Sequence, residues 1–217
     1  MYKTVVFDLD GTLLNTLTDL ADAGNRLCRK YGWPTHERQA YRYLVGNGIP
    51  KLVERLAPAD QRTPAVLEAT LADFKRDYGQ HLRDTTAPYP GIPEMLAKLK
   101  ANGVQLAVFS NKADALAKEV VKDYFGTQYF TIVRGQMTGV APKPAAEGTN
   151  ALLQALHADP ASTLYVGDSN VDVETAHNAN LPCCGAVWGF RTREELNAAG
   201  AEYLAENSDE LYDVIMK

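Results

Sequence analysis

The sequence is poor in cysteine, carries no excess of positive charge and contains no long apolar run. Its three cysteines, Cys28, Cys183 and Cys184, are too few for a disulfide framework, so we expect a reducing compartment. With 22 Lys and Arg against 27 Asp and Glu, the formal net charge is −5, and no basic run appears. This balance argues against nucleic acid or an anionic membrane as a general partner.

Transmembrane, secretory and zinc-binding patterns are also missing. No stretch approaches the ~20 apolar residues that span a bilayer, and no apolar signal region is visible at the start of the sequence. The four histidines are dispersed, without the spacing of zinc ligands. We therefore expect a cytoplasmic protein. A hydrophobic fraction of 46% and a charged fraction of 23% over 217 residues exclude a disordered or fibrous chain.

Short apolar segments alternate with helical patterns over most of the chain. Five segments rich in β-branched and aromatic residues predict buried strands, at residues 5–7, 104–109, 129–133, 163–166 and 183–187. Helical patterns occupy residues 92–101, 113–124, 144–157 and 171–178, with two more begun by a Thr192–Glu195 capping box and by Ser208. This alternation predicts an α/β fold, with a Rossmann-like parallel sheet in three α/β/α layers.

One segment departs from this alternation. Residues 16–81 contain no convincing strand but carry three apolar stripes at helical spacing. We interpret this segment as an α-helical cap domain inserted after the first strand. The α/β core domain would then comprise residues 1–15 and 82–217.

Two carboxylates follow the first predicted strand, in the run Asp8-Leu9-Asp10-Gly11-Thr12. Open α/β sheets bind ligands at the carboxyl ends of their strands, and an extended chain places Asp8 and Asp10 on one side. Like charges this close raise each other's pKa, which an oxygen-preferring divalent cation such as Mg²⁺ would relieve. A solvated acidic turn is the alternative interpretation of this run taken alone.

A second acidic run, Gly167-Asp168-Ser169-Asn170-Val171-Asp172, follows the fourth predicted strand. Asp168 stands at the strand end and would converge on Asp8 if the two strands are neighbours. Ser169 and Asp172 fit the capping pattern of a helix N-terminus. We expect them to organise the start of that helix, with Asp172 outside the direct metal ligands.

Two further segments offer groups suited to a phosphate. Ser110 and Asn111 follow the second predicted strand and supply a hydroxyl, an amide and backbone N–H groups at a helix N-terminus. Lys143 stands between two prolines, and its ammonium could neutralise phosphate and carboxylate charge together. Taken singly, a helix cap and a surface lysine are the simpler interpretations.

In combination, these segments closely resemble the four motifs of the haloacid dehalogenase-like hydrolase superfamily. The resemblance spans the whole chain, including a helical segment inserted after the first motif. The matching residues, in chain order, are Asp8–Thr12, Ser110, Lys143 and Gly167–Asp172. Many relatives also have a second proline three residues after the motif lysine, where this chain has Ala146.

The resemblance implies phosphate-ester chemistry through an aspartyl-phosphate. Asp8 would attack phosphorus, and Asp10 would protonate the leaving alcohol and then deprotonate the hydrolytic water. Relatives that cleave carbon–halogen or phosphonate bonds lack an acid at the place of Asp10. Its presence therefore favours hydrolysis or transfer of a phosphate ester.

The same resemblance implies the ligands of Mg²⁺ and of the phosphoryl group. The metal would be held by Asp8, the backbone carbonyl of Asp10, and Asp168. Thr12 would brace the first loop. The phosphoryl oxygens would be bound by Ser110, the Asn111 amide and Lys143.

Three other segments are similar to the phosphoglycolate phosphatase branch: Val45-Gly46-Asn47-Gly48, Tyr89-Pro90-Gly91 and the stretch from Trp188 to Leu196. In the first, Gly46 and Gly48 would let the backbone lie close to a ligand. Asn47 and Arg42 could reach a carboxylate on the leaving group. A plain helix–helix turn with a surface arginine is an equal alternative.

We therefore expect a Mg²⁺-dependent phosphatase acting on a small phosphorylated metabolite, with 2-phosphoglycolate as the first choice. A sugar-phosphate mutase similar to β-phosphoglucomutase is the main alternative. A pyrophosphate or nucleotide phosphatase and a non-catalytic phosphometabolite-binding protein are the others. No nucleic acid or membrane partner is expected, and the chain would be a monomer or a homodimer.

Overall fold

A computed structural model describes all residues of the chain, from Met1 to Lys217. The strands are β1 (Thr4–Phe7), β2 (Leu14–Asn15), β3 (Ala87–Pro88), β4 (Gln105–Ala113), β5 (Phe130–Gln136), β6 (Thr163–Gly167), β7 (Cys183–Ala186) and β8 (Tyr203–Ala205). The helices are α1 (Leu17–Tyr31), α2 (Tyr41–Leu44), α3 (Ile49–Leu56), α4 (Pro64–His81), α5 (Ile92–Ala101), α6 (Asp114–Phe125), α7 (Ala146–Leu156), α8 (Asn170–Asn178), α9 (Arg193–Ala198) and α10 (Ser208–Met216).

Six strands form one parallel sheet in the order β5-β4-β1-β6-β7-β8. Strand β1 is buried along its whole length, as its apolar sequence predicts, and lies between β4 and β6. Phe7 stands opposite Val108 of β4 and Val166 of β6. The loops that follow these three strands therefore leave the sheet side by side at its carboxyl edge.

Helices cover both faces of this sheet and complete the predicted three-layer α/β/α fold. On one face, α7, α8 and α9 pack against the sheet around an apolar cluster that includes Val6, Phe109 and Tyr165. Helices α5 and α6 cover the other face, as right-handed crossovers into β4 and β5 require, and α10 packs against α5 and β8. A sheet covered on both sides explains why its strands are continuous apolar runs rather than alternating ones.

The five predicted strands and the helices between them are confirmed, with differences at several ends. Strand β4 continues through Ala113, so Ser110 and Asn111 lie within the strand rather than at a helix N-terminus. Helix α10 is capped by Asn207, whose side-chain oxygen accepts two backbone N–H groups, and not by the predicted Ser208. Strand β8 was not predicted, because three residues are too few to show a period.

The chain divides into two compact units. One comprises Met1–Leu14 and Pro88–Lys217, and the other comprises Asn15–Ala87. The short strands β2 and β3 form a two-stranded ribbon at the two points where the chain passes between the units.

The second unit contains α1, α2, α3 and α4, so the segment predicted as a cap domain is helical. Its exit boundary falls after Ala87, whereas the sequence suggested a boundary after residue 81. The buried Asp19 on α1 explains the difference, because its carboxylate accepts hydrogen bonds from the backbone N–H and hydroxyl groups of Thr85 and Thr86. No helix in either unit combines the length and apolar character needed to cross a membrane.

Candidate active site

Asp8 stands immediately after β1, between the ends of β4 and β6. Its backbone N–H donates to the Val166 carbonyl at 2.8 Å, which continues the ladder between β1 and β6. The side chain is mostly buried, and its Oδ1 atom lies 2.9 Å from the Lys143 ammonium. This contact is an ion pair, since Oδ1 accepts no hydrogen bond of ordinary geometry. Asp8 is therefore a partly desolvated carboxylate whose Oδ1 atom is contacted by the Lys143 ammonium.

Lys143 is buried at the centre of the site. Its Nζ atom donates to Asp172 Oδ1 at 2.7 Å and lies 3.2 Å from the Tyr165 hydroxyl. Burial disfavours the ammonium, but the nearby carboxylates of Asp172 and Asp8 outweigh it and hold the pKa of Lys143 well above its usual value. The lysine is thus a fixed positive charge between two aspartates.

The side chain of Asn111 fixes the backbone of Lys143. The Lys143 N–H donates to Asn111 Oδ1 at 2.8 Å, and Asn111 Nδ2 donates to the Lys143 carbonyl at 3.2 Å. The side-chain amide is therefore engaged with the lysine loop. A contact from Asn111 to a phosphoryl oxygen, as expected from the sequence, stays a prediction.

Asp168 follows β6 and is held from two directions. Thr12 Oγ1 donates to Asp168 Oδ1 at 3.0 Å, and the Phe190 backbone N–H donates to Oδ2 at 2.7 Å. Gly11 and Gly189 lie against the same carboxylate, and a Cβ atom at either position would overlap it. Burial, followed by the charges of Asp172 and Asp8, holds the pKa of Asp168 well above its usual value.

Asp172 has both carboxylate oxygens engaged by protein groups. Its Oδ1 accepts from Lys143, while Oδ2 accepts from the Ser169 hydroxyl at 2.6 Å and the Ser169 N–H at 3.1 Å. The contacts with Ser169 tie the first turn of α8 together. This arrangement suits an aspartate that supports the site from behind rather than one that ligates a metal directly.

Asp10 faces a second buried lysine. Lys112 Nζ lies 3.0 Å from Asp10 Oδ1 and 3.3 Å from Oδ2, and the lysine side chain is only 2% exposed. The Lys112 N–H also donates to the Ser110 hydroxyl at 3.3 Å. Sequence reasoning missed this pairing, because Lys112 follows the Ser110-Asn111 motif and its contact with Asp10 depends on the extension of β4 beyond Phe109.

The residues at this edge of the sheet fit a divalent cation with a preference for oxygen. Carboxylate oxygens of Asp8, Asp168 and Asp172 lie within 4.8 Å of one another. Burial raises the pKa of Asp8 to about 6, against the lowering effect of Lys143. When all four aspartates are ionised, they exceed the two lysine ammoniums by two negative charges, which a doubly charged ion would balance.

The predicted substrate loop lies wholly in the helical unit, between α2 and α3. Gly46 and Gly48 have positive φ angles of 108° and 84°, as their predicted turn geometry requires. Asn47 Oδ1 accepts a hydrogen bond from Arg55 Nη2 at 2.8 Å, and Arg55 Nη1 also donates to the Leu44 carbonyl at 2.7 Å. Arg55 lies off the apolar stripe of α3, and nothing in the sequence indicated this contact.

Arg42, the other predicted substrate residue, lies on α2. The substrate-binding roles of Arg42 and of the loop from Gly46 to Gly48 stay predictions.

A three-layer α/β/α core, an inserted helical unit and paired aspartates after the first strand define a class of α/β hydrolases with an acidic centre. A family model described as haloacid dehalogenase-like hydrolase matches residues 5–186. The chain therefore belongs to the haloacid dehalogenase-like hydrolases, in the phosphoglycolate phosphatase-like branch, and is a phosphoric monoester hydrolase.

Individual relatives agree with this assignment over nearly the whole chain. A phosphoglycolate phosphatase from Chromobacterium violaceum is 31% identical over 98% of this chain and 96% of its own. One from Vibrio parahaemolyticus is 28% identical over the same shares. A crystal structure assigned as a phosphoglycolate phosphatase from Lactobacillus delbrueckii subsp. bulgaricus is 28% identical and has a TM-score of 0.93, covering 99% of this chain and 98% of that one.

Proposed function

We propose that this chain is a Mg²⁺-dependent phosphatase that hydrolyses 2-phosphoglycolate through an aspartyl-phosphate on Asp8. One observation carries the chemistry: Asp8 pairs with the buried Lys143 at 2.9 Å, beside carboxylate oxygens of Asp168 and Asp172 within 4.8 Å. The substrate is supported by similarity to relatives that are themselves phosphoglycolate phosphatases.

The metal would be held by the carboxylates of Asp8 and Asp168 and the backbone carbonyl of Asp10. When bound, Mg²⁺ would polarise a phosphoryl oxygen and offset the charge between nucleophile and substrate. Asp172 would stay with Lys143 and Ser169, since both its oxygens already accept hydrogen bonds.

In the first half of the reaction, an Asp8 oxygen bonds to phosphorus as the ester P–O bond breaks. Asp10 gives a proton to the leaving alkoxide, which departs as the alcohol. Ser110, the Asn111 N–H and Lys143 would hold the phosphoryl oxygens during this displacement. Lys143 would contribute mainly charge, because its three protons already have acceptors in Asp172, the Tyr165 hydroxyl and the Phe109 carbonyl.

In the second half, Asp10 removes a proton from water, which attacks the phosphorus of the aspartyl-phosphate. The acyl-phosphate P–O bond breaks, inorganic phosphate leaves and the Asp8 carboxylate is restored. One group thus acts as acid and then as base, and its proton is recovered in each cycle. Such transfers typically contribute ~10²–10⁴-fold to the rate.

Recognition of the glycolate carboxylate would fall to the helical unit. Asn47 is the best candidate there, because Arg55 holds its carbonyl oxygen and so leaves the amide N–H groups as donors for an anion. Arg42 would supply a charge-assisted contact to the same carboxylate.

The test is release of inorganic phosphate from a panel of 2-phosphoglycolate, sugar monophosphates, nucleotides and pyrophosphate, with Mg²⁺ and with EDTA. We expect Mg²⁺-dependent release with a preference for 2-phosphoglycolate, and its loss in Asp8→Asn with the fold retained. Broad and weak release would remove the substrate proposal. Isomerisation of a sugar phosphate without net release would favour the mutase, and normal turnover by Asp8→Asn would overturn the mechanism.

A further inference from the structure

Lys112 is the second buried lysine of the site, and the mechanism above does not use it. Its side chain is 2% exposed, and its ammonium reaches both oxygens of Asp10, at 3.0 Å and 3.3 Å. Lys143 does not substitute for it, because Lys143 pairs with Asp8 and Asp172. The two aspartates of the first motif therefore pair with different lysines, Asp8 with Lys143 and Asp10 with Lys112.

We propose that Lys112 is a positioning residue that fixes the orientation of the Asp10 carboxylate for its two proton transfers. A carboxylate on a single Cβ rotates about χ2, and its terminal torsion is broad. An ammonium that contacts both oxygens restricts this rotation by a charge-assisted interaction. This matters at Asp10, whose side chain is 21% exposed and so has solvent as a competing partner.

The backbone of β4 also places Lys112 next to the predicted phosphate-binding residues. Lys112 lies within β4, and its own N–H donates to the Ser110 hydroxyl, the predicted phosphate ligand. A buried ammonium is costly without an anionic partner, so Asp10 in turn keeps Lys112 in place. Lys112 and Asp10 therefore act as one unit beside the phosphate-binding residues.

The proposal rests on the proposed function, and it predicts an effect that depends on the leaving group. The value of kcat/KM reports steps up to formation of the aspartyl-phosphate. An alkoxide needs a proton from Asp10 in that step, whereas p-nitrophenolate leaves without one. We expect Lys112→Met to lower kcat/KM about 10²-fold for 2-phosphoglycolate and no more than about threefold for p-nitrophenyl phosphate.

The matched control is Lys122→Met, at an exposed lysine on α6, which should leave both values unchanged. A double-mutant cycle identifies the partner: if Lys112 acts through Asp10, then Asp10→Asn with Lys112→Met should be no slower than Asp10→Asn alone. Circular dichroism and thermal melting establish that the variants fold. If Lys112→Met does not fold, Lys112→Gln takes its place and should show the same selective loss at smaller size.

Two outcomes would overturn the positioning role. Equal losses on the alkyl and aryl phosphates would mean that Lys112 contacts the phosphoryl group or supports the fold. Additive losses in the double variant would mean that it acts independently of Asp10. Failure of the proposed function is separate: a wild-type protein that cleaves p-nitrophenyl phosphate but not 2-phosphoglycolate loses only its substrate assignment, and the best alkyl phosphate of the panel then replaces it.

Discussion

At the scale of single residues, the site concentrates negative charge where water is scarce. Asp168 and Asp172 are each 1% exposed and Asp8 is 9% exposed, yet the nearby lysines only partly balance them. A buried charge is tolerated when it is paired, and an unbalanced one shifts its pKa instead. Burial raises the pKa of Asp8 to about 6, because the charged carboxylate is poorly solvated at this site.

The stability of the metal-free protein should therefore depend on Asp8 in a predictable direction. The unfolded carboxyl has a pKa of 3.8 and the folded one a pKa of about 6, so between these values the folded state binds more protons. Stability then falls as pH rises through this window. The Asp8→Asn substitution removes this pH dependence. We expect the variant to be more stable than the wild type by about 1–3 kcal/mol above pH 6.5.

Urea unfolding in EDTA at a series of pH values measures this difference. The exposed Asp213→Asn on α10 is the control for a generic change of charge and should follow the wild-type profile. A stability difference between Asp8→Asn and wild type that stays constant from pH 4.5 to pH 7.5 would contradict the raised pKa of Asp8.

The positions of the motif residues in the fold were predictable from sequence, whereas the contacts that support them were not. Asp8, Asp10 and Asp168 follow strands, and strand ends at a parallel sheet edge converge whatever the details of packing. The engagement of the Asn111 side chain with the Lys143 backbone depends instead on where two distant loops meet. A side-chain pairing of that kind has no local period or spacing to reveal it.

At the scale of elements, the loop after β7 supports the proposed metal ligand Asp168. Trp188 Nε1 donates to the Thr12 carbonyl at 3.0 Å, and the Phe190 N–H donates to Asp168 Oδ2 at 2.7 Å. Between them, Gly189 packs against Asp168 and the Gly11 carbonyl. The loop therefore connects the Asp8–Thr12 segment to the segment that begins at Asp168. Its contacts fix the position of the Asp168 carboxylate.

Gly189→Ala should disturb this support without touching a reacting group. The added methyl would overlap the Asp168 side chain, so either the carboxylate or the loop must move. Loss of such orienting contacts typically costs 10–100-fold in metal affinity, and we expect a loss of about that size for Mg²⁺. Isothermal titration calorimetry checks it, with Gly79→Ala on α4 as the matched control.

A Cβ atom added at the control position would meet open space, and Gly79 lies within a helix, so the methyl there should leave Mg²⁺ binding unchanged. It should also stabilise α4, since alanine is favoured over glycine in helices by about 1 kcal/mol. Wild-type Mg²⁺ affinity in Gly189→Ala would show that the loop does not orient Asp168.

Helices and strands were predicted correctly where the apolar periodicity of the sequence was strong. They were missed where pairing with a neighbouring strand determines the structure. Helix α5 has the predicted bounds, Ile92–Ala101, because an apolar stripe and the Asn102-Gly103 stop agree. Strand β8 and the extension of β4 depend on pairing with a neighbouring strand, which local propensity does not report. The capping box at Thr192 was predicted because its residues contact one another within a single turn.

At the scale of the whole molecule, the proposed metal ligands lie far apart in the sequence. Asp8 follows the first strand of the sheet and Asp168 follows β6, with the entire helical unit inserted between them in sequence. An ion bound by both would stabilise the folded core, since the unfolded chain does not present the two carboxylates together. The metal should therefore act on global stability as well as on turnover.

Mg²⁺ should raise the unfolding temperature of the protein, and more strongly at pH 7.5 than at pH 5. A ligand that binds only the folded state adds about 2.7 kcal/mol to the free energy of unfolding when its concentration is about 100 times its Kd. For a chain of this size, 1 kcal/mol shifts the Tm by about 2–4 °C. The Tm should therefore rise by about 5–10 °C at pH 7.5. At pH 5 it should shrink, because the pKa of Asp8 is about 6 and that of Asp168 is well above its usual value, and both carboxyls must lose protons to bind the ion. Differential scanning calorimetry measures both shifts, and Asp168→Asn should show little shift at either pH. Equal shifts at pH 5 and pH 7.5 in wild type would mean that Mg²⁺ binds without displacing protons, and the ligand set proposed here would then be wrong.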